Sequence, residues 1–243
     1  MLSGPSFSPA GAIIALIGAS ALPLANYLAH HVVRVKRGRL LYPLAVVFLA
    51  GTLVPALSVR WLTRGGWIRA DAPFSGGRAA VLGISLVVGC CLIVLALRGQ
   101  LRGELRRAVR LFIALFAVSL AEVLVFLVIL FNLTEVVLAP LFHPLWGLVA
   151  AAVVCSALFG LYHFTHPAPW NNWAQAARLS VVWFFVCLAY VLTRDVWAAT
   201  IIDTSFATIG FVRNRVMTLD ATPPVTALAL DALSIIFVVA IIR

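Results

Sequence analysis

Charge is scarce in this chain, and acidic charge scarcest. Eight Asp and Glu stand among 243 residues, and the four charged types together make up 11%. A soluble domain of this length needs a larger polar share to cover its core, so the composition excludes a soluble globular protein. Cysteine is limited to Cys90, Cys91, Cys155 and Cys187. None has the paired spacing of a zinc site, so they read as small buried apolar residues, and no metal or cofactor is expected. Ten-residue alternation of apolar and polar positions is missing, which excludes a transmembrane barrel. The N-terminal stretch has no basic n-region, so its apolar run reads as an uncleaved first span. Internal repeats, low-complexity runs and long linkers are missing too, and residues 1–243 read as one integral membrane domain.

What is present is hydrophobicity, at 63% of the residues. Several apolar windows of about 20 residues are each long enough to cross about 30 Å of hydrocarbon as a helix. The predicted fold is all-α, a polytopic transmembrane helical bundle with eight spans over 10–33, 40–58, 79–97, 111–131, 144–163, 177–193, 196–212 and 225–242. Pro23 is expected to bend the first span. Trp61 and Trp67 suit a headgroup region. Leu101, Leu105 and Val109 recur at helical spacing within an arginine-rich stretch that reads as an interfacial amphipathic helix. Residues 132–143 read as the connection between spans four and five, and Pro167 and Pro169 stop span five after His166. Residues 1–110 read as peripheral spans with basic loops, 111–212 as the core, and 213–243 as a closing span.

The formal charge of +10 would point a soluble protein toward nucleic acid. Here the basic residues cluster between spans, where the positive-inside rule and anionic headgroups account for them. No basic run is interleaved with aromatics, so no nucleic-acid partner is expected and the lipid bilayer is the first partner. The basic bias toward the loops after spans one, three, five and seven puts both termini outside the cytoplasm. The expected location is a bacterial inner membrane.

Three ionisable residues fall in separate spans of the core. Glu122 sits in LFIALFAVSLAEVLVFLVILF, His163 ends VAAAVVCSALFGLYH, and Asp203 shares a helical face with Thr200, Thr204 and Ala207. A mid-membrane acid is costly unless it faces the bundle interior, which makes Glu122 a functional candidate, against the alternative of a structural carboxyl paired across helices. Counting along straight helices puts Glu122 about 16 Å and Asp203 about 18 Å from the cytoplasmic side, with His163 several ångströms closer to it. His163 could instead meet the interface or bond a carbonyl, and His166 shares its face. Asp231 reads as a structural hydrogen bond, and His30, His31 and His143 as interfacial.

Between about residues 111 and 212 the chain resembles the CPBP intramembrane proteases, which include the type II CAAX prenyl endopeptidases and bacteriocin-processing or immunity homologues. That family carries Glu-Glu-x-x-x-Arg on one helix, Phe-x-x-x-His ending the next, and His-x-x-x-Asn or Asp on a later one. Phe159-Gly-Leu-Tyr-His163 matches the second motif in full. The stretch Ala121-Glu122-Val-Leu-Val-Phe126 keeps the second glutamate of the first motif, with alanine for the first and phenylalanine for the arginine. Asp203 and Ala207 stand at the two positions of the third. The resemblance implies an intramembrane glutamic endopeptidase whose catalytic group is Glu122, His163 and Asp203. It also implies impaired catalysis, because a general base and an oxyanion hole are each worth orders of magnitude in rate.

Three readings stay open on the sequence. One is a divergent endopeptidase of this type. The second is a non-catalytic subunit, scaffold or chaperone that binds another integral membrane protein, a lipid or a pigment in the same cavity. The third is a proton-linked transporter using Glu122, Asp203 and Asp231, for which no inverted repeat is visible. Haem ligation has no spacing signature here.

Overall fold

The structure, a computed structural model, describes residues 8–34, 41–68, 78–98, 101–138, 141–214 and 224–242. Eight long helices make up most of it. Helix α1 is Pro9–Tyr27 with a π-helical extension Leu28–Val32, and α2 is π-helical over Pro43–Leu53 and α-helical over Val54–Arg64. Helix α3 is Arg78–Leu97; α4 runs Leu101–Val123 and continues through π-helical Leu124–Phe131 into Asn132–Leu138. Helix α5 is Pro144–Tyr162, closed by a 3-10 turn at His163–Thr165. Helices α6, α7 and α8 are Trp173–Thr193, Val196–Arg213 and Pro224–Ile242. No strand occurs among the described residues.

Local chemistry sets several of these ends. The Ser8 hydroxyl accepts from Gly11 N–H at 3.2 Å and Pro9 opens α1, where a missing N–H is harmless. Asn172 caps α6 through Gln175 N–H at 3.0 Å. Arg194 ends that helix in the left-handed region (φ 49°), and Asp195 starts α7 by accepting from Trp197 and Ala198 N–H at 2.8 and 2.9 Å. A connection this short makes α6 and α7 antiparallel neighbours. The Arg194 guanidinium also forks onto Glu135 at 3.0 and 3.1 Å, tying this corner to the far end of α4.

Seven of the helices are long and apolar enough to cross a membrane, and the eighth, α7, is shorter on apolar residues. The all-α, multi-pass class read from composition holds. Helix α4 is its axis: 72% of its apolar stretch is buried, against 17% of that of α3. Residues 119–129 of α4 are buried without a break. Helix α7 is buried continuously from Val196 to Ser205 and packs on α3, α4 and α6. Its Thr, Ser and Asp side chains therefore face protein, which removes the cost they would incur against lipid.

Several expectations are corrected. The arginine-rich stretch from 104 to 110 is not a separate interfacial helix; it is the first turns of α4. Residues 132–138 extend that helix instead of forming a connection. Trp67 is buried against α1, where a Cβ on Gly11 would collide with the indole, whereas Trp61 is exposed. Cys90 and Cys91 lie on an exposed face of α3; Cys155 and Cys187 are buried. Most of the basic turn after α1, residues 35–40, and the loop 69–77 lie outside the described residues. Asp231 accepts from Ala117 N–H at 3.0 Å, a structural bond between α8 and α4.

Candidate functional site

Glu122 projects from the middle of α4, just before the helix widens to its π-helical segment. His163 stands where α5 tightens into its 3-10 turn, and His166 follows in extended geometry, as a residue before proline prefers. The turn places both rings on one side, with centroids 4.9 Å apart and planes 25° from parallel. One ligand-type atom from each of Glu122, His163 and His166 lies within 4.8 Å of the others. All three residues are at most 9% exposed.

The gap in depth between Glu122 and His163 disappears in the fold. Their ligand atoms lie within 4.8 Å of each other, so the two residues share a level that counting along straight helices did not give them.

His163 Nδ1 lies 2.9 Å from the Phe159 carbonyl. A carbonyl can only accept, so Nδ1 carries a proton in this contact. The turn itself is tied down twice. Thr165 donates to Tyr162 O at 2.7 Å, and Asn26 on α1 donates to Thr165 Oγ1 at 2.8 Å. Asn26 in turn accepts from the Tyr42 hydroxyl at 2.8 Å.

A cavity of about 340 Å³ opens onto this cluster. Glu122, His163, His166, Asp203 and Ala207 all line it, as does Ser119, one α4 turn from Glu122 and beside the Asp203 carboxyl. Asp203 Oδ2 has no hydrogen-bond partner among the described residues. Apolar side chains such as Leu115, Phe159, Leu179 and Phe206 form most of the wall. Arg178, Arg213 and Asn214, the exposed residues of the lining, mark its mouth.

The outer positions of the first motif do not reach this cavity. Ala121 faces α2, where a Cβ on Gly51 would lie 2.7 Å from its own. A glutamate at 121 would enter the packing between α2 and α4. Phe126 sits among Phe159, Tyr162 and Trp183, with centroids 5.3, 5.3 and 6.0 Å away. The carboxylate that α4 presents to the histidines is Glu122.

The structure thus gathers the three residues singled out in the sequence, Glu122, His163 and Asp203, around one cavity. It adds His166, Asn26 and Tyr42. His166 was visible three residues after His163 but had no motif to raise it. Asn26 was a lone amide in an apolar run, a signal that polar residues inside membranes are seldom idle. His30, expected at an interface, has its ring 5.1 Å from Tyr42 and 6.2 Å from His166.

Fold and site together define a multi-pass membrane protein with a buried carboxylate and imidazole pair inside its helical bundle. Residues 104–209 match the family described as type II CAAX prenyl endopeptidase Rce1-like. This supports membership of the CPBP family and places that family's core on α4 to α7, the helices that carry Glu122, His163 and Asp203. No curated protein and no solved structure matches the chain.

Proposed function

We propose that this CAAX protease-type membrane protein is an intramembrane endopeptidase-like hydrolase centred on Glu122 and His163. The observation that carries the reading is the convergence of Glu122, His163 and His166 within 4.8 Å on the wall of an apolar cavity. A water held between the Glu122 carboxylate and the His163 ring would lose its proton to Glu122 as it attacks a carbonyl carbon. Glu122 would then return that proton to the leaving amine. Asp203 and Ser119 line the same cavity and would help to hold the reacting group.

With phenylalanine at 126, the first motif supplies no donor for the oxyanion. Gln175, one turn of α6 from Arg178 at the mouth and lining the same cavity, is a candidate donor in its place. The mostly apolar wall and the cationic mouth suit a substrate with an apolar anchor and a carboxylate, as a prenylated CAAX peptide has.

The test is cleavage of a prenylated CAAX peptide by the protein in liposomes. Wild type should cleave, and Glu122→Gln should lower the rate by about 100-fold or more with folding intact, the scale of a lost general base. Equal rates in the two proteins would refute the assignment.

One observation favours the binding reading instead. Asp203 and Ala207 replace a histidine and an amide or acid, so α7 contributes fewer donors to the cavity than the third motif provides. A wild-type protein that cleaves nothing and co-purifies with a membrane protein, lipid or pigment would decide for that reading. For the location we propose a bacterial inner membrane with both termini outside the cytoplasm. Reporter fusions at each end test this, and a cytoplasmic signal from either end would overturn it.

A further inference from the structure

We infer that the cavity binds an amphiphile with a protonated amine at its deep end, an apolar chain of about 15 Å, and an acid group at the mouth. The amine lies on Asp203 and the acid on the arginines that line the opening. Such binding does not require that Glu122 cleave anything.

Asp203 sets the deep end. It is 4% exposed, lines the cavity, and keeps Oδ2 without a hydrogen-bond partner among the described residues. The Ser119 hydroxyl stands beside the carboxyl but brings no positive charge. A carboxylate among apolar walls is costly to bury until donors and an opposite charge meet it. A primary ammonium supplies both together, whereas a hydroxyl supplies a donor alone.

From Asp203 the cavity follows one face of α7. Phe206, Ala207, Gly210, Phe211 and Asn214 line it at i+3, i+4, i+7, i+8 and i+11 from Asp203. Arg213, exposed at the end of this helix, and Arg178, exposed on α6, line the mouth. Ten residues separate Asp203 from Arg213, a rise of about 15 Å along the helix. The cavity is therefore anionic at depth and cationic at its opening, and a ligand charged in the opposite sense at each end satisfies both.

Between the ends the wall is apolar, with Leu115 and Val118 of α4 and Leu179 and Val182 of α6. Methylene groups need no partner there, while the N–H and C=O groups of an extended peptide would go unpaired. At Gly210 an added Cβ would meet no atom within 4 Å, so a chain has room to pass. The volume of about 340 Å³ falls in the range of small-molecule sites, about 300–1,000 Å³.

The test uses the full-length protein in phosphatidylcholine nanodiscs, with empty nanodiscs as the blank. Binding of tritiated ω-aminododecanoate, whose extended length matches the path, is measured by equilibrium dialysis; dodecanoate and dodecylamine each lack one end group. One equivalent should bind saturably. Asp203→Asn keeps the shape of the side chain and should weaken binding by about 30-fold or more, the loss when one partner of a buried charge pair is removed. Dodecanoate should bind as weakly to wild type as ω-aminododecanoate binds to Asp203→Asn, and the substitution should not weaken it further, a dependence on the ligand's amine that a merely structural aspartate would not show. Arg178→Gln should cost ω-aminododecanoate about 2- to 5-fold, the scale of an exposed pair, and cost dodecylamine nothing.

Gly210→Leu tests the same path without touching a charge: it should abolish binding and leave the thermal midpoint unchanged, because the new side chain enters open space. Absence of saturable binding, equal affinity in Asp203→Asn, or full affinity in folded Gly210→Leu would overturn the inference. So would dodecanoate binding wild type as tightly as ω-aminododecanoate, or tetraleucine with free ends binding more tightly, which would make the cavity a peptide site. No step of the assay involves cleavage, so a protein that cleaves no peptide but binds ω-aminododecanoate through Asp203 would refute the hydrolase and uphold this site.

Discussion

Replacing Asn26 by alanine tests whether the first two helices hold the turn between His163 and His166 in place. Asn26 is fully buried; its Nδ2 donates to Thr165 Oγ1 and its Oδ1 accepts from Tyr42, both at 2.8 Å. Alanine removes both bonds and cuts the link from α1 to the segment between His163 and His166. A net hydrogen bond contributes about 0.5–1.5 kcal/mol in soluble proteins. Interhelical side-chain bonds in membranes average about 0.6 and reach about 1.7 kcal/mol, because the unfolded segment also finds partners in the bilayer. Two such bonds bring the expected loss to about 1–3 kcal/mol.

The assay is reversible unfolding in mixed micelles, with a double-mutant cycle against Tyr42→Phe. A coupling energy of about 0.6–1.7 kcal/mol is expected. The hydroxyl of Thr165 keeps its bond to Tyr162 O, so the fold should survive while the ring of His166 gains freedom. A loss below about 0.5 kcal/mol, or additivity of the two substitutions to within about 0.3 kcal/mol, would refute the network as a support of the site.

Two further substitutions probe how the helices close around the cavity. Gly160 lies where α5 touches α6, and a Cβ there would collide with Ser180 Oγ and the Ala176 carbonyl. Gly160→Val should cost about 1–3 kcal/mol and lower the thermal midpoint, since backbone must move to admit it; an unchanged midpoint would show that the contact is looser than described. Asp231→Asn keeps an acceptor for Ala117 N–H and should stay within about 0.5 kcal/mol of wild type, while Asp231→Ala should lose about 0.6–1.7 kcal/mol. Equal stability of the two variants in the same unfolding assay would remove the structural role assigned to this bond.

Much of this protein was legible before any coordinates. Scarce charge and long apolar runs allow only a helical membrane bundle, because hydrocarbon offers no partner for an open backbone. The rarity of ionisable residues inside such runs singled out Glu122, His163 and Asp203, since each must be sheltered by protein. Phe159 and His163 carried the family by their spacing.

Helix ends were less legible. Hydropathy registers where apolar residues stop, whereas a helix stops where its hydrogen bonds do, so α4 takes in an arginine-rich start that read as a separate interfacial helix and a polar end that read as a connection. The contrast between Trp61 and Trp67 was not legible either: both rings suit an interface, and only the packing of Trp67 on Gly11 of α1 decides which is buried.

The sequence by itself determined the class of fold, the family that residues 104–209 resemble and the residues that could not face lipid. Those properties follow from composition and from spacing along single helices, which a chain carries whether folded or not. Tertiary structure decided that Glu122 rather than position 121 meets the histidines, that His166 joins them, and that Asn26 and Tyr42 brace the turn. Each of these depends on how one helix is rotated and levelled against another. That relation is set by close packing at Gly51, Gly160 and their neighbours, and no periodicity within one segment encodes it.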